Sequence, residues 1–123
     1  MIVMDDVSET YSRLSDRQVP VPQAHSMHFR ELVHRMHDKG LVHGDIRHPN
    51  ILVREDVDTN SDLDGSLFLV DFDWGGKESV ARYPGDLNPD ISRHDTVTDG
   101  GLIMKVHDTY MVDILFPVRD ESM

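Results

Sequence analysis

Asp45, Asn50 and Asp71 are the residues of this chain whose types and spacing suit chemistry. Asp45 and Asn50 stand in His43-Gly44-Asp45-Ile46-Arg47-His48-Pro49-Asn50, an H-x-D-x-x-x-x-N run. Asp71-Phe72-Asp73 follows after two apolar runs. Moving a phosphoryl group to a hydroxyl takes a carboxylate to orient that hydroxyl, a task Asp45 suits. It also takes oxygen ligands for Mg²⁺, which holds one or two protein groups and completes its shell with water and phosphate oxygens. Asn50 and Asp71 are candidates for those ligands.

Residues so far apart in sequence need elements that bring them together. Ile51-Leu52-Val53 and Leu67-Phe68-Leu69-Val70 are short apolar runs suited to strands. An acidic, turn-rich loop joins them, so a hairpin is expected with Asn50 entering one strand and Asp71 leaving the other. Phe29, Leu32, Val33 and Met36 fall at i, i+3, i+4 and i+7, which predicts a helix over about 23–39. Ser26 is a candidate cap, and Gly40 is the expected stop. Ile2-Val3-Met4 reads as a strand, and residues 5–22 show little periodicity. Residues 74–101 read as a long irregular segment. Leu102 to Phe116 reads as a second helix with Ile103, Val106, Tyr110 and Ile114 apolar, stopped by Pro117.

The chain's 123 residues fit one small domain, and 38% hydrophobic residues allow a modest core. No apolar run approaches the roughly 18–20 residues of a membrane span. With no cysteine, disulfides and thiolate metal sites are excluded. The net charge of −11 argues against a broad nucleic-acid face, which needs clustered Lys and Arg. The N-terminus has no signal-like basic region, so an intracellular place, cytoplasmic or nuclear, is expected.

In this order, loop, hairpin and Asp-Phe resemble the C-terminal lobe of a protein kinase, and the chain looks closest to fungal-type protein-kinase-like proteins. The similar stretches are Leu41 to Val53, Leu69 to Lys77 and Ala81-Arg82-Tyr83-Pro84. The resemblance implies an α+β fold: a kinase-like C-lobe fragment, mainly helical, with a catalytic-loop hairpin. Residues 1–7 would be the last N-lobe strand and hinge, and 8–123 a partial C-lobe. It implies ATP and Mg²⁺ as cofactors. Asp45 takes the catalytic-base position, with Arg47 where many kinases carry a Lys near the transferred phosphate. Asn50 and Asp71 take the metal positions. Met4, Asp5, Asp6 and Val7 would border the adenine, and His43 would be architectural.

Three features depart from that pattern. Gly44 replaces an Arg, Asp73-Trp74 replaces a Gly, and nothing matches the Gly-rich phosphate loop or its nucleotide-binding Lys. The implied activity is phosphoryl transfer to Ser or Thr of a protein substrate, with this chain alone expected to be inactive. His-Gly-Asp also resembles aminoglycoside- and choline-type phosphotransferases, so a small-molecule acceptor is one alternative. A non-catalytic binding module or remnant is another. The apolar segments at 2–4 and 102–116 would lose partners, which predicts self-association.

Other clusters carry weaker signals. Asn60-Ser61-Asp62-Leu63-Asp64-Gly65 approximates a Ca²⁺ loop, against a simple turn at Asp64-Gly65. His28, His34 and His37 lie on or near one helix but lack the spacing of a zinc site; a solvated or partly buried face is the plainer reading. Trp74 and Tyr83 suit packing as well as substrate contact. Lys77, Arg82 and Arg93 are candidate holders of an acidic substrate.

Overall fold

The computed structural model describes residues 11–117. The expected strand at 2–4 and the adenine-bordering residues Met4, Asp5, Asp6 and Val7 lie outside the described residues. Among the described residues the architecture is mixed: two α-helices and two small antiparallel sheets. The kinase-like reading expected a mainly helical chain. Instead, a long stretch between the last strand and the last helix is turns and extended backbone.

β1 (Tyr11–Arg13), β3 (Ile51–Arg54) and β4 (Leu67–Leu69) form one sheet in the order β1-β3-β4. The hairpin β3–β4 pairs Ile51 with Leu69 and Val53 with Leu67. Ile51, Val53 and Leu67 are buried, so one sheet face supplies core. β1 was not expected. It pairs along β3 from Tyr11↔Arg54 to Arg13↔Leu52, and the Tyr11 hydroxyl donates to the Gly65 carbonyl at 2.6 Å.

α1 spans Gln23–Asp38, in agreement with the expected helix. Ser26 does not cap it. Pro22 holds that position, its carbonyl accepting from the amides of His25 and Ser26. The buried stripe is His25, Phe29, Val33 and His37, four residues apart each time, with Leu32 and Met36 partly covered. Two histidines are therefore core rather than solvated face, and each has a polar partner. His25 donates from Nε2 to the Asn60 carbonyl at 3.1 Å.

β2 (Leu41–Val42) pairs with β5 (Gly76–Lys77). This closes the chain from the Asp71 corner back onto the strand that leads into His43. Gly75 makes the approach possible, because a Cβ there would lie 2.9 Å from the Val42 carbonyl oxygen. Its amide also donates to the Phe72 carbonyl at 3.0 Å, so the turn's glycine stands at 75 rather than directly after Phe72.

α2 spans Lys105–Leu115, starting later than the sequence pattern suggested. Leu102 pairs with Arg82 in an isolated bridge and the Ile103 amide donates to the Ala81 carbonyl, which holds both residues extended. The buried face of α2 is His107, Asp108, Met111 and Val112, whereas Val106 and Ile114 are exposed. Arg30 of α1 joins the two helices, ion-paired with Asp113 and donating to the Phe116 carbonyl at 2.8 Å.

The main core gathers Leu14, Phe29, Val33, Ile46, Ile51, Val53, Leu67, Met111 and Val112. A smaller cluster of Val42, Tyr83 and Ile103 lies beneath the 74–101 segment, with Trp74 and Val97 packed against it. That segment is irregular, as expected, and is cross-tied by Tyr83 N–H to Gly101 O and Gly100 N–H to Pro84 O, each at 2.9 Å.

Candidate active site

The loop between β2 and β3 hangs on one buried carboxylate that the sequence reading missed. Asp108 of α2 is fully buried. It accepts from the amides of His43 and Gly44, both at 2.8 Å, and its Oδ2 lies 2.9 Å from His37 Nε2. A buried carboxylate is costly unless charge-assisted hydrogen bonds satisfy it, and three do so here. Sequence offers little signal for Asp108, since the same helix also carries Lys105, His107, Thr109 and Asp113. Its partners lie some 65 and 71 residues away, beyond any local pattern.

His43 is architectural. Its Nδ1 accepts from the Asp45 amide at 3.0 Å, so the ring proton sits on Nε2 and donates to the Val70 carbonyl at 2.9 Å. The Phe72 ring packs edge-on against it at 4.6 Å. The imidazole thereby ties the Asp45 backbone to the end of β4.

Gly44 has φ +90, and a Cβ there would lie 2.7 Å from Ile103 Cδ1. Both the left-handed conformation and the space favour glycine. The Arg of the resembled pattern thus has no room at this position. Ile46 is wholly buried in the core, and the Asp45 side chain before it keeps a little exposure, 12%.

The Asp45 carboxylate meets several donors. Arg47 Nε donates to Oδ1 at 2.6 Å, and Asn50 Nδ2 donates to Oδ2 at 3.1 Å and to the Asp45 carbonyl at 2.8 Å. Arg93, from the 74–101 segment, brings NH2 to 3.8 Å from Oδ1. Because the Asn50 amide nitrogen is engaged by Asp45, its amide oxygen is the atom left to accept. A 3-10 turn, His48–Asn50, delivers Asn50 into β3.

The hairpin register brings Asp71 to the same end. The Val70 amide donates to the Asn50 carbonyl at 2.9 Å, and Asp71 follows directly, exposed, with φ +61. Such a φ costs a non-glycine residue of order 1–3 kcal/mol and is typical of functional corners. Among the described residues no group of three or more His, Asp or Glu side chains is arranged to hold a metal.

Two weaker readings meet other fates. Arg54 ion-pairs with Asp56, and its guanidinium donates to the carbonyls of Asp62 at 2.7 Å and Asp64 at 3.0 Å. A side-chain cation therefore fills the acidic loop, Gly65 makes the turn at φ +71, and strands rather than helices flank it. Trp74 and Tyr83 pack together with ring centroids 6.0 Å apart. Burial, with the Asp108 charge adding, pushes the Tyr83 phenol well above its ordinary value.

A family model described as "Lipopolysaccharide kinase (Kdo/WaaP) family" matches residues 2–86, more than half of the chain. The matched stretch includes Asp45, Arg47, Asn50 and Asp71 and ends before Arg93 and Asp108. Comparison with curated proteins gives no match. No helix among the described residues is long and apolar enough to cross a membrane.

Proposed function

We infer a function from one premise: the chain belongs to the lipopolysaccharide kinase (Kdo/WaaP) family, a protein-kinase-like family. Its reaction in this reading is phosphoryl transfer from ATP to a hydroxyl of a small-molecule or sugar-type acceptor. The family's description names a lipopolysaccharide, which favours that acceptor over the protein Ser or Thr expected from the resemblance to fungal-type kinases.

Asp45 orients the acceptor hydroxyl and receives its proton as the new oxygen–phosphorus bond forms and the bond from the γ-phosphorus to its bridging oxygen breaks, releasing ADP. Arg47 offsets the charge that builds on the transferred group. Asn50, through its amide oxygen, and Asp71 would hold Mg²⁺, which when bound neutralises phosphate charge. The observation that carries the reading is the Asp45–Arg47–Asn50 cluster on a loop fixed by Asp108, with Asp71 at the same hairpin end. Positioned charge of this kind is what phosphoryl transfer asks of a protein.

The experiment pairs binding with transfer. Mn²⁺ in place of Mg²⁺, added with ATP, should broaden the NMR signals of Asn50 and Asp71 before those of the β1 strand. With Mg²⁺ and γ-labelled ATP, any label the chain transfers should go to lipopolysaccharide rather than to a protein acceptor and be lost in Asp45→Asn. Absence of nucleotide-dependent broadening at Asn50 and Asp71 would overturn the reading. Transfer to protein hydroxyls in preference to the sugar would restore the Ser/Thr alternative.

A further inference from the structure

Arg93 reaches the catalytic loop from the 74–101 segment, outside the stretch matched by the family model. Its side chain is 9% exposed. The guanidinium lies over the Trp74 ring at 5.5 Å and the Tyr83 ring at 6.0 Å, a cation–π cage that holds it in place. Its polar contacts are long: NH1 to the Gly44 carbonyl at 3.5 Å and NH2 to Asp45 Oδ1 at 3.8 Å. Its buried Nε has no partner.

A guanidinium has five N–H donors, and burying one is costly unless an anion meets it. Asp45 meets Arg93 only in part, because its Oδ1 already accepts from Arg47 at 2.6 Å and its Oδ2 from Asn50 at 3.1 Å. Two guanidinium groups thus converge on one carboxylate. Asp45 alone balances only one of the two guanidinium charges. Arg47, with its side chain 32% exposed, gives the pair an open side.

We propose that Arg93 and Arg47 together form a receptor for a phosphate-type oxyanion beside Asp45. The inference rests on the phosphotransfer reading for the anion's owner, which is either the terminal phosphate of the nucleotide or an anionic group on the acceptor. Arg93 differs from Arg47 in arriving on the segment that follows the hairpin, so it couples anion binding to the docking of that segment.

Inorganic phosphate is the probe, and the full chain is the protein tested. Arginine Nε–H signals of Arg93 and Arg47 should shift with millimolar phosphate and stay still with chloride at equal ionic strength. Arg93→Gln and Arg47→Gln should each weaken binding about tenfold, the scale of one charge-assisted hydrogen bond. Arg93→Lys should restore part of the loss, since it keeps the charge without the planar fork. Protected amides at Leu52 and Val53 report that each variant is folded, and Arg47→Gln, at a partly exposed position, carries the test if Arg93→Gln unfolds.

A non-hydrolysable ATP analogue with Mg²⁺ separates the owners. Displacement of phosphate assigns the anion to the nucleotide, and simultaneous binding assigns it to the acceptor. Phosphate binding without any nucleotide binding would count against the phosphotransfer reading and leave the receptor standing. An unmoved Arg93 Nε–H signal, or phosphate affinity unchanged in Arg93→Gln and Arg47→Gln, overturns the proposal.

Discussion

Replacing Asp108 should loosen the catalytic loop more than any substitution within the loop's own side chains. Its carboxylate is fully buried and accepts from His43 N–H at 2.8 Å, Gly44 N–H at 2.8 Å and His37 Nε2 at 2.9 Å. Asp108→Ala strands two backbone donors and an imidazole away from water. Breaking a buried, charge-assisted network by removing one partner costs about 3–5 kcal/mol. Whole domains hold only about 5–15 kcal/mol, so the variant should lose a large share of its stability. Asp108→Asn keeps the shape but turns an N–H toward one of the donors, and should cost about 1.5–3 kcal/mol, the scale of one hydrogen bond to a charged group. Urea unfolding followed by fluorescence of the single tryptophan, Trp74, gives both numbers. Hydrogen exchange then locates the effect, with the amides of His43 and Gly44 exposed ahead of those in β3. A loss below about 1 kcal/mol in Asp108→Ala, with Gly44 still protected, would refute the claim that this carboxylate holds the loop.

Other consequences can be measured alongside it. Gly44→Ala should destabilise by about 2–4 kcal/mol, combining a left-handed backbone with a methyl 2.7 Å from Ile103 Cδ1; Ile103→Val should recover part of it, and equal losses in both backgrounds would sink the steric account. Burial, followed by the nearby His94 charge, lowers the pKa of His107, against a raising effect from Asp108. Its Nδ1 accepts from Met104 N–H, and Tyr83 OH lies 3.1 Å from the same atom, so the fold favours the neutral ring. Folded His107 then binds protons less readily than unfolded His107, so stability should hold above about pH 6.5 and fall as pH drops below it. Thermal unfolding across that window should flatten in His107→Gln; an unchanged acid slope would clear His107. Self-association should proceed through the apolar surface that includes Phe72, which is 51% exposed. Sedimentation velocity should show it weakened by Phe72→Ser, and a concentration-independent monomer would contradict it.

The elements nearest the chemistry were readable because their patterns are local. α1 follows from Phe29, Val33 and their neighbours at helical spacing, and the β3–β4 hairpin from two apolar runs around a turn. β1 was not readable, since Tyr11-Ser12-Arg13 has no alternation and owes its shape to pairing with β3. The face of α2 was misjudged for a physical reason. Val106 and Ile114 are apolar and exposed, while His107 and Asp108 are polar and buried because their partners come from distant segments. His37 reads as a helix-face histidine in sequence for the same reason: its buried partner, Asp108, lies 71 residues on.

The way Asp45 is held also bears on what the site can select. Its backbone is fixed from three directions: Asp108 through the two preceding amides, the His43 ring toward β4, and Ile46 in the main core. All of these contacts are buried. In the proposed reaction the H-x-D-x-x-x-x-N run and its supports define where a hydroxyl is activated without defining whose hydroxyl it is. Discrimination needs groups that meet the acceptor, and interactions with its non-reacting parts can favour one acceptor over another. Near Asp45 the structure offers Arg93 and its Trp74–Tyr83 cage, all on the segment after the hairpin. If the anion met by Arg93 belongs to the acceptor, the catalytic position and the acceptor choice sit on different stretches of chain, one held by the core and one by its own cross-links. Trading Trp74 or Arg93 should change which acceptors are used while leaving metal binding at Asn50 and Asp71 intact. Loss of both together would mean that the two stretches form one inseparable unit.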